Sequence, residues 1–409
     1  MSNSSNAPIR GGTRLRVQIP FFIAVRVVLN TMYRMVYPFL PVFARGIGVD
    51  IRTMSSAISI RAAAGTLGPL IAPLSDRRGR RFGMTLGIGL FAAGASIPFL
   101  GKGMAFLTAA LVLATIGKYV FDPAMQAHLG DRIPYGSRGT ALAVTEWGWS
   151  LAFILGVPAA GFLIVRFGWR SPFLVLAILA VAALFAVQFI VPGPRDGTAP
   201  GERSPSPAHP RESGRHFREV FNVFRSAPAV AALAVVFLGS FSNEAVNVVL
   251  GVWLEDSFGL KIAGLGAASA LIGFSEMGAE TLAAATIDRI GKIKAILIGL
   301  GLNALIVALL PFSVSSPATA LAALFALYLT FEYAAVSLIP VISEIQPDRR
   351  ATLLAFYTAA FSLGRAIGSW ISPRLYGLGF QAVAVMAFAG AGLACLTVIW
   401  LGRLMSRKK

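Results

Sequence analysis

Charged side chains are scarce in this chain of 409 residues, at 13%, and acids are scarcer than bases: 18 Asp and Glu stand against 36 Lys and Arg. With 56% hydrophobic residues, that is too little charge to cover a soluble globule of this length, which leaves the bilayer as the solvent. A single cysteine, Cys395, excludes an intrachain disulfide and reads as a small packing residue. The three histidines, His128, His209 and His216, fall at or outside the inner face of the expected spans. Neither a metal-ligand cluster nor a nucleophile–base pair appears within the apolar runs, so no metal and no cofactor are expected and an enzyme is disfavoured. A small-residue cleavage pattern is also missing after the polar start with Arg10, Arg14 and Arg16, so the first apolar run is expected to stay as a helix.

What the chain has in quantity is apolar length. Twelve stretches can each cross a hydrocarbon core: 17–44, 54–75, 82–100, 104–127, 139–165, 171–192, 228–254, 263–287, 295–313, 318–343, 351–375 and 380–402. In a soluble protein a net charge of +18 would point to nucleic acid; here the bases sit in alternate loops. With the N-terminus inside, 24 Lys and Arg fall in cytoplasmic segments, 7 in external loops and 5 within helices. That asymmetry predicts an all-α polytopic membrane protein with both termini cytoplasmic, multi-pass in the cell (inner) membrane, with no nucleic-acid partner.

The chain repeats itself. Ser75-Asp76-Arg77-Arg78-Gly79-Arg80-Arg81 returns 212 residues later as Ile287-Asp288-Arg289-Ile290-Gly291-Lys292. Asp131-Arg132-Ile133-Pro134 with Arg138 is echoed by Glu344-Ile345-Gln346-Pro347 with Arg349 and Arg350, and Gly156 by Gly368. Matches at one offset in three places predict two pseudo-symmetric six-helix bundles. The expected organisation is a tail (1–16), a first bundle (17–192), a cytoplasmic linker rich in Pro, Gly, Ser and Arg (193–226), a second bundle (227–402) and a basic tail (403–409). A monomer is expected.

On these residues the chain resembles the major facilitator superfamily over essentially its whole length. The family's loop signature, Gly-x-x-x-Asp-Arg-x-Gly-Arg-Arg, is matched by Ala72 to Arg81, with Ala72 in place of the first glycine. Tyr37-Pro38-Phe39-Leu40-Pro41 and Gly168-Trp169-Arg170-Ser171-Pro172-Phe173 support it. The nearest branch in motif is that of proton-coupled drug and metabolite exporters. Gly156-Val157-Pro158-Ala159-Ala160-Gly161 keeps the small and kinking character of their helix 5 motif but not its pattern, and Val112 and Leu113 stand where they carry a helix 4 arginine. The resemblance implies that helices 1, 4, 7 and 10 line a central cavity. It also implies that Asp76, Arg77, Gly79, Arg80 and Arg81, with Asp288, Arg289 and Gly291, form a gating latch; the bland alternative is that these charges only fix topology.

Eleven ionisable residues remain inside the expected helices, each costing several kcal/mol unless paired or facing water. The first half holds Arg26, Arg34, Arg61, Lys118, Asp122 and Glu146; the second holds Glu244, Glu276, Glu280, Glu332 and Arg365. Helical spacing puts Arg26, Asn30, Tyr33, Arg34 and Tyr37 on one face of helix 1, and Ser240, Asn243, Glu244 and Asn247 on one face of helix 7. By the resemblance these two faces look toward each other, and with Lys118, Asp122, Glu332 and Arg365 they form the expected substrate site. Glu276 and Glu280 stand one turn apart, and two like charges in a poorly hydrated place do not readily both ionise, which suits a proton carrier. The expected proton sites are Glu276 first, then Glu244 and Glu332, with Glu280 beside Glu276 and Arg365 holding one of that pair ionised.

Each has a bland alternative. Lys118 and Asp122 can neutralise each other at i, i+4, Arg61 reads as snorkelling to the surface, as Arg34 also could, and Glu146 as an interfacial anchor. Trp147 and Trp149 read as aromatic belt, and Gly65, Gly68, Gly87 and Gly89 as packing positions. The expected function is alternating-access transport of a small amphipathic or anionic molecule, driven by protons and directed outward. Proton-coupled uptake, a lipid or organic-anion transporter and a membrane-embedded enzyme are the alternatives.

Overall fold

The computed structural model of the chain describes residues 12–67, 79–133, 135–192, 222–346 and 349–406. Among them every regular element is a helix. The first half contains α1 (Gly12–Met35), α2 (Leu40–Ile47), α3 (Ile51–Ala64), α4 (Arg80–Ser96), α5 (Met104–Arg132), α6 (Tyr135–Leu151), α7 (Val157–Phe167) and α8 (Ser171–Ile190). The second contains α9 (Ala227–Asn247), α10 (Leu250–Phe258), α11 (Ile262–Ile290), α12 (Lys292–Leu309), α13 (Pro317–Ile345), α14 (Arg350–Tyr376) and α15 (Phe380–Ser406).

The repeat is legible in the backbone. Six glycines with positive φ pair at offsets of 211 or 212: Gly48 with Gly259, Gly79 with Gly291, and Gly168 with Gly379. Each ends or begins a helix where a side chain would be strained. The first helix of each half is also interrupted at the same place, between Met35 and Leu40 and between Asn247 and Leu250. In the first half the break holds Pro38, which has no amide N–H to donate. In the second, a Cβ added to Gly251 would lie 2.3 Å from the carbonyl oxygen of Pro38, so the two breaks touch. Asp50 then caps α3, its carboxylate accepting from the Thr53 amide at 2.9 Å. Hydrogen bonds from Thr53 hold this exposed carboxyl below its ordinary pKa.

Among the described residues, ten helical stretches are long and apolar enough to cross a membrane. The two expected spans missing from that set, 54–75 and 351–375, have different reasons. The α3 helix covers only 14 residues before the chain passes beyond the described residues at 68–78. The α14 helix, at 27 residues, is long enough but carries Arg350, Arg365 and Arg374 and a row of serines. These two helices pack against each other between the halves: Ser59 meets Ser369 at 2.9 Å, and Gly65 lies against Ser362. A helix that faces protein rather than lipid need not be apolar.

The second contact between halves joins α6 and α7 to α11, where Gly273 approaches the Ser150 carbonyl and Gly266 the Pro158 backbone. Leu151 leads into α7 through a single π-helical turn, Ala152–Gly156. Gly156 is required there: an added Cβ would sit 1.8 Å from Thr31 Oγ1 on α1. Its repeat mate Gly368 abuts the Phe241 carbonyl and Glu244 on α9. Gly65 and Gly87 are the packing positions expected of them. Gly89 is not, having nothing within 4 Å of an added Cβ, and Gly68 lies outside the described residues.

The apolar core is shared unequally. Residues of the second half around Leu250, Trp253, Leu324 and Phe380 merge with the first half's core, beside the ends capped by Gly48 and Gly259. At that end Arg45 also bonds Glu255 across the halves at 2.7 Å. The other end of the second half, around Val236, Ile296, Val341 and Val398, forms a separate core of its own. Among the described residues the halves thus share one apolar core at one end, whereas at the other the second half has a core of its own.

Candidate functional site

Three clusters hold nine of the eleven ionisable residues of the helices. In the first, Arg26 forks onto Glu146 at 2.6 and 2.8 Å, donates to the Thr145 carbonyl at 2.9 Å and has Nε 3.4 Å from Asp122. Lys118 bonds Asp122 one turn along α5. Two bases and two acids meet within one half and neutralise each other. The Lys118–Asp122 pair is real, and Glu146 is tied to Arg26 rather than standing alone as an interfacial anchor.

The second cluster crosses the halves. Arg34, buried on α1, bonds Glu276, buried on α11, and donates Nη1 to the Trp149 carbonyl at 3.0 Å. Its guanidinium lies 4.1 Å over the Trp149 ring and 3.5 Å over Phe153. Trp149 also packs on Tyr33, 6.0 Å between ring centres, so it belongs to the interior and not to an aromatic belt. Arg34 likewise does not snorkel.

The third cluster is built around Tyr37 at the break in the first helix. Arg61 donates Nη2 to the Tyr37 hydroxyl at 2.7 Å, and Arg365 donates Nη2 to the same oxygen at 2.7 Å from the other half. Arg61 also donates Nη1 to the Tyr33 carbonyl at 2.7 Å and stacks 4.1 Å over the Tyr33 ring. Arg365 Nε bonds Glu244 at 2.8 Å; Asn247 reaches Glu244 at 3.3 Å and accepts from the Tyr328 hydroxyl at 2.6 Å.

Several expectations are corrected here. Arg61 is fully buried and does not snorkel, because the helix it rides on faces the other half rather than lipid. Arg365 holds Glu244, on the helix packed against its own, and not Glu276 or Glu280; Arg34 holds Glu276. The polar face of α1 looks toward α6 rather than α9: Asn30 donates to the Gly148 carbonyl at 3.0 Å, beside the Arg26 contacts with Thr145 and Glu146. Asn243 has its side-chain nitrogen buried without a partner.

Two acids remain outside these clusters. Glu280, one turn from Glu276, accepts a long bond from Ser150 Oγ at 3.4 Å and has no ion-pair partner among the described residues. Glu332, half-buried on α13, has no hydrogen-bond or ion-pair partner among the described residues. Glu276, Glu280 and Glu146 act on it electrostatically, as does Arg34 with the opposite sign.

Of the expected latch, Asp76 and Arg77 lie outside the described residues. Gly79 and Gly291 turn the chain with φ of 94° and 91°. Arg80 meets Asp131 at 3.3 Å and Lys292 bonds Glu344, the same contact at the repeat offset. Arg81 donates to Gln188 on α8, whereas Asp288 and Arg289 are exposed. Residue-by-residue reading missed Trp149, Phe153, Ser150 and Tyr328 as members of these networks. Tyr328, one turn before Glu332 on α13, and Ser150, one turn after Glu146, were within reach of the same spacing argument.

Comparison with known proteins places this geometry. The family model described as Major Facilitator Superfamily matches residues 22–335 and again 232–409. The uncharacterised MFS-type transporter YwfA of Bacillus subtilis (strain 168) is 27% identical over 376 residues, covering 90% of this chain and 86% of its own. Multidrug resistance protein 2 of the same organism is 24% identical over 385 residues, covering 89% and 92%. The inner membrane transport protein YdhP of Escherichia coli O157:H7 is 25% identical over 370 residues, covering 89% and 90%.

Proposed function

The chain belongs to the Major Facilitator Superfamily, as a transporter and not an enzyme, and we propose that it exports small amphipathic molecules in exchange for protons. In this reading twelve spans form two six-helix bundles, 17–192 and 227–402, joined by the linker 193–226. Both termini are cytoplasmic, the protein acts as a monomer in the inner membrane, and the end sealed by Arg45 and Glu255 faces outward. Sealing at one end and separate cores at the other suit one state of an alternating-access cycle.

One observation carries the proton assignment: among the described residues Glu280 and Glu332 have no cationic partner, in an interior where the other four carboxylates do. A salt-bridged carboxylate such as Glu276 or Glu244 gives up its arginine when it takes a proton. An unpaired one gains by protonation, since burial disfavours its charge. Glu280 and Glu332 therefore bind protons, while Glu276 locks the interface through Arg34 and Glu244 holds Arg365 where it meets Tyr37. Cargo passing between the halves meets Arg34, Trp149, Tyr37 and Tyr328, which offer aromatic faces as well as charge. The export direction rests on the relative named for multidrug resistance.

Proteoliposomes loaded with a pH indicator test the reading, with an ethidium or 1-naphthalenesulfonate gradient imposed across them. Protons are expected to move opposite to cargo, and the double variant Glu280→Gln/Glu332→Gln is expected to lose that proton flux. Undiminished proton flux in the double variant would remove both residues from coupling, and protons moving with cargo would make the protein an uptake symporter.

A further inference from the structure

The ion pairs leave one base over as well as two acids. Arg61 is fully buried, and no carboxylate among the described residues touches it. Its two bonds go to neutral acceptors, the Tyr33 carbonyl and the Tyr37 hydroxyl, and its Nε is buried with no partner. Arg365 converges on the same Tyr37 oxygen, so two guanidinium groups from opposite halves share one hydroxyl, and Glu244 pairs with Arg365 alone. A buried cation without a counter-charge is costly, and a hydroxyl does not neutralise it.

Beside Arg61 lies a tight cleft of about 10 Å³ between the first, second and fourth spans, lined on its polar side by Arg61, Lys118, Tyr33 and Thr115 and otherwise by aliphatic side chains. In this state it has room for no more than about one water, so a headgroup is seated on Arg61 only as the Tyr37 hydroxyl gives way. Two cations, two hydroxyls and no acid in its lining make it suited to an anion, and a guanidinium fork fits a carboxylate, sulfonate or phosphate.

We propose that Arg61 is the seat of an anionic headgroup, so that the cargo of this transporter is an amphipathic organic anion whose apolar part extends toward the aromatic residues at the junction of the halves. This rests on the reading of the chain as an exporter and specifies its cargo. An anion on Arg61 competes with the Tyr37 hydroxyl, which then serves Arg365 alone, so binding acts directly on the contact between the halves. Arg26, Arg34 and Lys118 already have carboxylate partners, which leaves Arg61 to do this. Export of a monoanion against an entering proton moves two positive charges inward, so the pH gradient and the membrane potential drive it together.

The test uses the full-length protein in phosphatidylcholine nanodiscs and three probes of one shape: 1-naphthalenesulfonate, the neutral 1-naphthalenesulfonamide and the cation 1-naphthylmethylammonium. The sulfonate alone is expected to raise the unfolding temperature in a dose-dependent way. Arg61→Gln is expected to weaken its apparent affinity about tenfold or more, with Arg61→Lys recovering part of the loss. Preference for the cation, or sulfonate binding unchanged in Arg61→Gln, overturns the proposal. So does a sulfonate effect abolished by phosphatidylglycerol in the discs, which would make a lipid headgroup the occupant. If Arg61→Gln does not assemble, the three-probe comparison on the unmodified protein decides. Proton movement is read separately in liposomes, so a protein that carries protons but ignores the sulfonate refutes the anion seat alone.

Discussion

The two halves share a scaffold and differ in charge. Positive-φ glycines, the break in the leading helix, the close-packed pair Gly156 and Gly368 and the bridges Arg80–Asp131 and Lys292–Glu344 all recur at nearly the same offset. The ionisable interior does not recur: four bases and two acids face one base and four acids. Positions that turn or pack the backbone have stayed alike, because the same helix crossing needs the same residue in either half. Positions that carry charge have diverged, and where they meet the molecule gains an inter-half ion pair, an unpaired base and two unpaired acids. The asymmetry, more than the shared frame, is where specificity resides.

Breaking the asymmetry at its bridging pair should have the largest effect. Arg34→Ala leaves Glu276 buried and uncompensated, at a cost of about 3–5 kcal/mol. Thermal unfolding in detergent should show a large loss, most of which Arg34→Met combined with Glu276→Leu restores. Equal instability of the double and single variants would mean the pair is not a unit.

The shared frame yields a middle effect. Gly156→Ala and Gly368→Ala should each cost about 1–3 kcal/mol through overpacking. Thr31→Ala should rescue the first, because the clash is with a side chain, and no single side-chain truncation should rescue the second, whose neighbour includes a backbone carbonyl. Rescue in both halves, or in neither, would break the parallel drawn between them.

The smallest effect belongs to the repeated surface bridges. Arg80→Ala and Lys292→Ala act on half-exposed pairs and should each shift stability by less than about 1 kcal/mol. A loss of transport without loss of stability in both variants would show that these bridges gate the cycle.

Much of the frame was legible in the sequence, since hydropathy and a fixed offset register length, depth and duplication. The identity of the eleven interior ionisable residues was legible too. Their partners were not, because depth along a helix says nothing about which neighbour its polar face meets. Arg61 looked like a surface residue on a span judged by lipid standards, yet α3 and α14 are covered by each other. The face of α1 turned to α6, and Trp149 with it, because Gly148 and Gly156 let those helices close on each other. That information lies in pairwise contact.

The central claim is that charge left unpaired between two otherwise equivalent halves drives transport. Solid-supported membrane recordings of the current after a pH jump, made on the unmodified protein and on Glu280→Gln/Glu332→Gln at equal reconstituted amounts, test it most directly. The account predicts a current in the former that disappears in the latter, and a double variant with the full current would contradict it.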